Sequence, residues 1–475
     1  MKHRNKNIVL ENLLITDAAS DGRGLARINN MVVFVPHTVP EDVVNVKIYR
    51  KKNNYAEAEL LELVTPSPLR VTPFCDYFGV CGGCKWQNLS YEQQLFFKQK
   101  QVTDALTHIA KVPLPDATPI LGSAQTTHYR NKLGYTFSDL RWLTYAQMDE
   151  NPELKAATGL GFHVPKQHSK VVHIEKCWLL DDAHNEIRNE IYDFATKNNY
   201  EFYSTYTHKG FLRELIIRTT TNNELMLQFI FDADKPKLRN ALLTHIQEKF
   251  AAVTSIFYYI NTKVNEDLEG VEAQHFFGTH TITENLGHLK YEISPKSFFQ
   301  TNSLQAFQLY SIIKQMAQLT GNELVYDLYT GTGSIALFLA NAAKKVIGVE
   351  YVQEAINDAN KNAALNGITN CDFFAGDMRA VLNEDFVAQH GAPDMIITDP
   401  PRAGMHPNVV EMMLKLAPKK ILYVSCNPAT QARDVNTMQH QYRVAAYQPV
   451  DMFPHTHHVE NVLLLERIEV EVLPD

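Results

Sequence analysis

No stretch of this chain approaches the roughly 20 consecutive apolar residues that a membrane-spanning helix requires. Nor do the opening residues, Met1 to Lys6, lead into the apolar core of a signal peptide. The expectation is a cytoplasmic protein without membrane contact. Internal repeats and low-complexity tracts are absent, which excludes solenoid architectures. An excess of basic charge is missing as well: 45 Lys and Arg stand against 53 Asp and Glu, a formal net charge of −8. A polyanionic partner would therefore be met by local patches such as Arg50 to Lys52, not by a global field. The first 130 residues soften this, with 15 basic against 12 acidic side chains. Cysteine is scarce, six in 475 residues, too few for a disulfide scaffold. Three of them, Cys75, Cys81 and Cys84, crowd into ten residues, a pattern that points to a metal or cluster.

At 475 residues the chain exceeds one ordinary hydrophobic core, so two or three domains are expected. Ile8 to Leu10, Val32 to Val35, Val43 to Ile48 and Tyr55 to Leu61 are short strand signals, separated by turn residues at Asp21 to Gly24 and Pro40 to Asp42. They predict an OB-like barrel of about five strands over residues 1–66. Pro66, Pro68 and Pro73 mark a linker, and a central α+β region is expected over 67–290. Gly79, Gly82 and Gly83 free the backbone around the three cysteines to wrap a small inorganic centre. From Ser90 to Ala110 the spacing predicts a helix with Leu95, Phe96, Val102, Leu106 and Ile109 on its apolar stripe. Residues 122–290 read as alternating strands and loops.

Over 291–475 strand and helix signals alternate, which predicts an α/β fold with a doubly wound sheet. Ser303 is expected to cap a helix ending near Leu319. Strand signals then end at the turn of Gly331 and Gly333, at Glu350, near Asp377, at Asp399 and at Cys426, and residues 442–450 and 459–467 close as an antiparallel pair. The carboxyl ends of such strands are where open α/β folds bind ligands. Glycines at 331 and 333 let the backbone approach a ligand, and Glu350, about 20 residues on, can accept ribose hydroxyls. On these features alone a dinucleotide oxidoreductase fits too, with Ala336 in place of its third glycine. Cys426, just before Pro428, is by itself as readily inert packing. His455, His457 and His458 read as loop.

Five segments in order resemble the RNA uridine carbon-5 methyltransferase family: Phe298 to Asn302, Asp327 to Gly333, Asp399 to Arg402, Ser425 to Pro428, and Phe453 to His455 followed by Glu460. The resemblance implies a Rossmann-like class I methyltransferase sheet that uses S-adenosylmethionine (SAM). It implies Cys426 as nucleophile, Glu460 as base, and Asp399 and Gln300 as contacts to the uracil edge or SAM. Tyr329, Gly331, Gly333, Ser334, Glu350 and Asp377 would complete the cofactor pocket, Ser334 standing where many members have Asn. The chemistry needs such a set. Uracil carbon 5 is a poor nucleophile until a thiolate adds to carbon 6, and a base must later take the proton from carbon 5.

The first β region resembles the TRAM domain, an RNA-binding module, although Glu41 replaces a common turn glycine. Cys177 is the further cysteine that the family pattern supplies, so Cys75, Cys81, Cys84 and Cys177 resemble the family's [4Fe-4S] site, with zinc as the alternative. His128 to Lys132 resembles the family's segment near RNA, and the first helix is implied to lean on the catalytic domain. A cluster together with a TRAM domain resembles the enzymes of 23S ribosomal RNA, whereas transfer-RNA enzymes are expected to lack both. The alternatives are a transfer-RNA enzyme and a non-catalytic iron–sulfur RNA-binding protein. An amino-group methyltransferase would want an aromatic residue where Arg402 stands. No obligate protein partner is implied.

Overall fold

The computed structural model describes residues 8–150, 157–165 and 167–469; Met1 to Lys6, on which the signal-peptide expectation rests, lie outside them. Among the described residues no helix is long and apolar enough to cross a membrane.

The first sheet has six strands, not five, in the order Ile8–Leu14, Val43–Lys51, Tyr55–Thr65, Met31–Val35, Gly24–Ile28, Asp17–Ala18. Asp17–Ala18 and Gly24–Ile28 match none of the four strand signals, and Gly24–Ile28 begins inside what the sequence presents as turn chemistry. Val44, Val46 and Ile48 alternate inward against Ala56 and Ala58, the period of a half-buried strand. Three register shifts between the two longest strands bend and coil the sheet.

The central region is a seven-stranded sheet running from Gln274–Gly278 through Val253–Ile260, Leu225–Phe231, Leu212–Thr219, Lys132–Ser138 and Gly159–Val164 to Gln167–His173. Two helices, Asp182–Lys197 and Pro236–Lys249, pack on it through Ile187, Ile191, Leu242 and Ile246. This corrects the expectation of strands and loops alone. Neither helix carries a motif, and both are marked only by Asp181 capping one and Pro236 opening the other.

The catalytic sheet is ordered Cys371–Ala375, Lys345–Glu350, Leu324–Leu328, Met395–Thr398, Lys420–Ser425, Glu460–Arg467, Tyr442–Val450. The first five strands are parallel, Glu460–Arg467 runs antiparallel between its neighbours, and the edge strand Tyr442–Val450 again runs with the first five. Both faces are covered: Val325, Ile397 and Leu422 enter one core, Tyr326, Ile396 and Tyr423 the other. Strands buried on both sides read as continuous apolar runs, which is why they were legible. The strand order reverses between Leu324–Leu328 and Met395–Thr398, so a crevice opens at their carboxyl ends. The helix beyond the 291 boundary is Ser303–Ala317, and its cap is Asn302, whose side chain accepts from Gln305 N at 3.2 Å, not Ser303.

The first helix, Tyr91–Ala105, is capped by Ser90 and continues as a π-turn, Leu106–Ala110. Val102, Leu106 and Ala110 pack into the catalytic core, and Asn436 Nδ2 donates to Ala110 O at 2.8 Å. The expected stripe is displaced, however. Phe96 and Ile109 are exposed, whereas Gln94 and Lys98 are fully buried. Apolar periodicity misses this face because polar bonds hold it, as the next section describes.

Candidate active site

Ile421 to Val424 are buried, and Ser425 ends the strand by accepting from Asn427 N at 3.1 Å. Asn427 caps the helix Pro428–Met438, with the proline in its first turn. Cys426 is thereby left half-buried at a strand-to-helix turn on the crevice edge. In the neighbouring antiparallel strand Ser425 faces Asn461. Cys426 follows Ser425 and Glu460 precedes Asn461, and the two groups are near enough for Glu460 to act on the thiol. Asp399 ends Met395–Thr398 on the other side of Lys420–Ser425.

These three groups share one electrostatic field. Burial pushes the Glu460 carboxyl up to about 8, aided by Asp399 and opposed by Arg402. Burial and then Asp327 push Asp399 up to about 7. Cys426 is pushed up to about 11, by burial first and then by Glu460 and Asp399, while Arg402 opposes through its charge and a bond to the sulfur. Arg402 also meets His458 Nδ1 at 2.5 Å. One guanidinium thus stands among thiol, carboxyl and imidazole.

On the far wall Gly331 and Gly333 both have positive φ, 56° and 75°. A Cβ at Gly333 would lie 2.9 Å from Phe373, whereas at Gly331 it would meet nothing within 4 Å. Gly333 lets the turn pack and Gly331 leaves its outer face open to a ligand. Glu350 holds this turn by accepting from Gly331 N at 3.1 Å and Val352 N at 3.0 Å. Ser334 Oγ bonds Tyr310 at 2.9 Å. Gln300, Tyr329, Gly331, Ser334, Glu350, Asp399, Cys426 and Glu460 line one cleft of about 1850 Å³.

The loop that leads into Glu460 is suspended from outside the catalytic sheet. Lys98 Nζ and Asp451 Oδ1, neither with any exposed side-chain surface, pair at 2.6 Å, and Tyr91 OH donates to Asp451 at 2.9 Å. Gln94 accepts from His455 N at 2.8 Å, and His455 O accepts from Lys85 N at 2.8 Å and Trp86 N at 3.1 Å. His455 itself is left-handed, with φ of 65°. Gln94 and Lys98 are therefore buried by function of this loop, and the loop is tied to the segment just after Cys84.

Cys75, Cys81, Cys84 and Cys177 line the same cleft at its other end. Gly83 N donates to Cys81 Sγ at 3.4 Å, and the backbone N–H groups of Tyr77 and Phe78 near Cys75, the Gln87 side chain near Cys84 and the N–H groups of Leu179 and Leu180 near Cys177 favour the thiolate of each. Burial raises all four thiols, Cys81 and Cys84 to about 12, and a charge on Cys177 would raise the other three further. Donors near sulfur are what a thiolate-ligated centre uses, so the residues fit one. Among the described residues no group of His, Cys, Asp or Glu is gathered closely enough to hold a single metal ion.

A model of the tRNA (uracil-5-)-methyltransferase family matches residues 271–468, and the TRAM domain matches 11–61. An uncharacterized RNA methyltransferase of Bacteroides thetaiotaomicron is 51% identical over 94% of this chain and 99% of its own length. A second, from Porphyromonas gingivalis, is 49% identical over 95% and 99%. The chain belongs to the RNA uracil carbon-5 methyltransferase family. A solved relative, the tRNA (uracil-54, C5)-methyltransferase of Pyrococcus abyssi in complex with S-adenosyl-L-homocysteine, shares 28% identity and a TM-score of 0.73, covering 96% of this chain and 100% of that one.

Within this family member, the residues expected at the site line the cleft with two exceptions, Gly333, which packs against Phe373 within the turn, and Asp377. Asp377 is not among those lining the cleft; it caps the short helix Met378–Val381 and pairs with Arg379 at 2.9 Å, which lowers its carboxyl to about 2. Sequence reasoning gave no role to Arg402, Gln87, Gln94 or Lys98. Arg402 had a signal, being the last residue of the Asp399 segment, but it was read only as a missing aromatic. Asn131, in the basic segment at 128–132, is buried and donates to Gln300 O at 3.0 Å and Ser303 Oγ at 2.7 Å, so it ties the central region to the Gln300 loop.

Proposed function

We propose that this member transfers the methyl group of SAM to carbon 5 of a uridine in 23S ribosomal RNA, with Cys426 as nucleophile and Glu460 as base. The observation that carries the reading is that Cys426, Glu460 and Asp399 line the one cleft that the Gly331 turn also lines, with Glu460 near enough to act on the Cys426 thiol. Cys426 Sγ bonds to carbon 6 of the uracil, and the carbon 5–carbon 6 electron pair moves toward the carbon 4 oxygen as an enolate. Arg402 favours the thiolate that begins this step and opposes the repulsion from the two carboxylates. SAM, which the Gly331 turn and Glu350 would hold, would supply the methyl group that carbon 5 takes up, leaving as S-adenosyl-L-homocysteine. Glu460 then takes the carbon 5 proton, and the electrons of that bond expel Cys426 from carbon 6. A carboxyl poised near neutrality suits this task. Asp399 and Gln300 would orient the uracil edge.

Cys75, Cys81, Cys84 and Cys177 would hold a [4Fe-4S] cluster, with zinc as the alternative, a reading supported by the four cysteines lining one cleft together. The cluster would organise the loop that Lys85 and Trp86 bond to His455, with no step of the reaction routed through it. Ribosomal RNA is proposed from the pairing of cysteine centre and TRAM domain. The expectation that transfer-RNA enzymes differ in architecture meets a counterexample, since the Pyrococcus abyssi relative matches nearly the whole chain. A transfer-RNA uridine is accordingly the second reading. Mapping 5-methyluridine in ribosomal and transfer RNA from cells with wild-type protein, without it, and with Cys426→Ala decides between them. A 23S site lost in both deficient strains supports the first; a loss confined to transfer RNA replaces it with the second.

A further inference from the structure

Arg188 is a fully buried side chain whose charge has no evident partner. It has no exposed surface, and its Nη2 donates to Asn189 Oδ1 at 2.7 Å. Nε and Nη1 have no hydrogen-bond partner, and neither has the buried hydroxyl of Tyr135, whose ring lies 5.4 Å from the guanidinium. A guanidinium does not shed its proton, and burying it without an opposite charge is costly.

Its position says which charge. Arg188 lies on the helix Asp182–Lys197, three residues after Asn185 and so on the same face. Asn185 clamps the backbone of Cys177, accepting from Cys177 N at 2.8 Å and donating to Cys177 O at 3.2 Å. The ionisable groups that bear on Arg188 are Tyr135, Tyr77, Cys177 and Glu175. Of the two that ionise as acids strong enough to matter here, Glu175 is exposed to solvent and Cys177 is partly buried on the cleft wall. An RNA phosphate cannot reach a side chain with no exposed surface.

We propose that Arg188 is the internal counter-cation of the centre held by Cys75, Cys81, Cys84 and Cys177, with Tyr135 as an auxiliary donor, and that it sets the reduction potential of that centre. The inference rests on reading these cysteines as a [4Fe-4S] site. Four thiolates outweigh the positive charge of the iron–sulfur core, so the assembly is a net anion. An added electron deepens that charge, and a buried cation therefore favours the reduced form.

The test uses full-length protein purified anaerobically, with iron and sulfide assayed, and a potentiometric titration followed by electron paramagnetic resonance. Arg188→Met and Arg188→Gln should shift the ratio of reduced to oxidised cluster at fixed potential by about tenfold toward the oxidised form, ~59 mV for one electron. Arg188→Lys, which keeps the charge, should stay nearer wild type, and Tyr135→Phe should move the same way by less. Arg188→Met should also lower Tm with the cluster present but not in iron-free protein, where it removes an unpaired cation. A merely structural arginine would lower both alike. Unshifted potentials in the Met and Gln variants, or a Lys shift as large as theirs, overturn the proposal. If neither the Met nor the Gln variant folds, the Lys and Tyr135→Phe potentials decide: a large Lys shift, or none with Phe, overturns it. Wild-type protein with no iron or sulfide removes the cluster reading itself, and the proposal with it.

Discussion

At the catalytic end of the cleft Asp327, Asp399 and Glu460 are buried beside other acids, and their carboxyls are pushed up to about 7, 7 and 8. At the other end four thiols are partly buried, yet N–H groups near their sulfurs favour the thiolate and the buried guanidinium of Arg188 acts on Cys177. Both ends penalise charge by burial, and their neighbours differ in sign. Acids facing acids hold protons near neutrality, which is a setting for proton transfer. Thiols near donors and a cation are favoured as thiolates, the form that ligates the proposed cluster. Lys98, Gln94 and the segment after Cys84 join the two ends by supporting the loop before Glu460.

The largest expected effect breaks the catalytic end alone. Glu460→Gln should lower multiple-turnover methylation by roughly 10²–10⁴-fold. Thiolate addition and methyl transfer should survive, so labelled SAM should yield a methylated RNA still joined to protein on a denaturing gel. Free product at wild-type rate removes Glu460 from the mechanism.

Next in size is the bridge. Lys98→Met leaves Asp451 buried without its cation, a change that costs about 3–5 kcal/mol for pairs of this kind. Chemical denaturation should show that loss, with midpoint falling; a midpoint unchanged from wild type would mean the pair does not hold the loop.

A smaller effect concerns thiol reactivity. Because a charged Glu460 raises Cys426 and Arg402 lowers it, the pH profile of Cys426 alkylation, read by peptide mapping, should move to lower pH in Glu460→Gln and to higher pH in Arg402→Met. Shifts of the same sign in both would contradict the shared field.

The smallest is a slope of stability. A carboxyl raised in the folded state binds more protons folded than unfolded between its ordinary value near 4 and its folded value, so stability falls as pH rises through that window. For Asp327, Asp399 and Glu460 the window runs to about 7 or 8. Urea unfolding from pH 5 to 8 should show a shallower decline in Glu460→Gln than in wild type, and parallel lines would refute the assignment.

What the sequence disclosed follows from where chemistry is local. The catalytic strands were legible because burial on both faces makes them continuous apolar runs ending in Glu350, Asp399 and Cys426. The glycine turn was legible because only a residue without a side chain suits φ of 75° against Phe373. The buried face of the first helix was not, since Gln94 and Lys98 are buried by partners more than 350 residues away. Apolar periodicity carries no trace of such bonds. Arg188 and Gln87 were invisible for a different reason: each is near a cysteine in the chain, Cys177 and Cys84, yet the sequence offers no motif for a buried donor. Asp377 matched the family pattern, yet Arg379, two residues on, holds its carboxylate locally.

The central claim is that Cys426 becomes covalently joined to the uracil during turnover, and RNA carrying 5-fluorouridine tests it most directly. Fluorine on carbon 5 cannot be withdrawn as a proton, so the bond from Cys426 to carbon 6 should persist after methyl transfer. A denaturing gel should show a SAM-dependent protein–RNA adduct, and peptide mapping should place the RNA on Cys426. Efficient methylation of ordinary substrate with no adduct on the fluorinated RNA, or an adduct retained in Cys426→Ala, would contradict it.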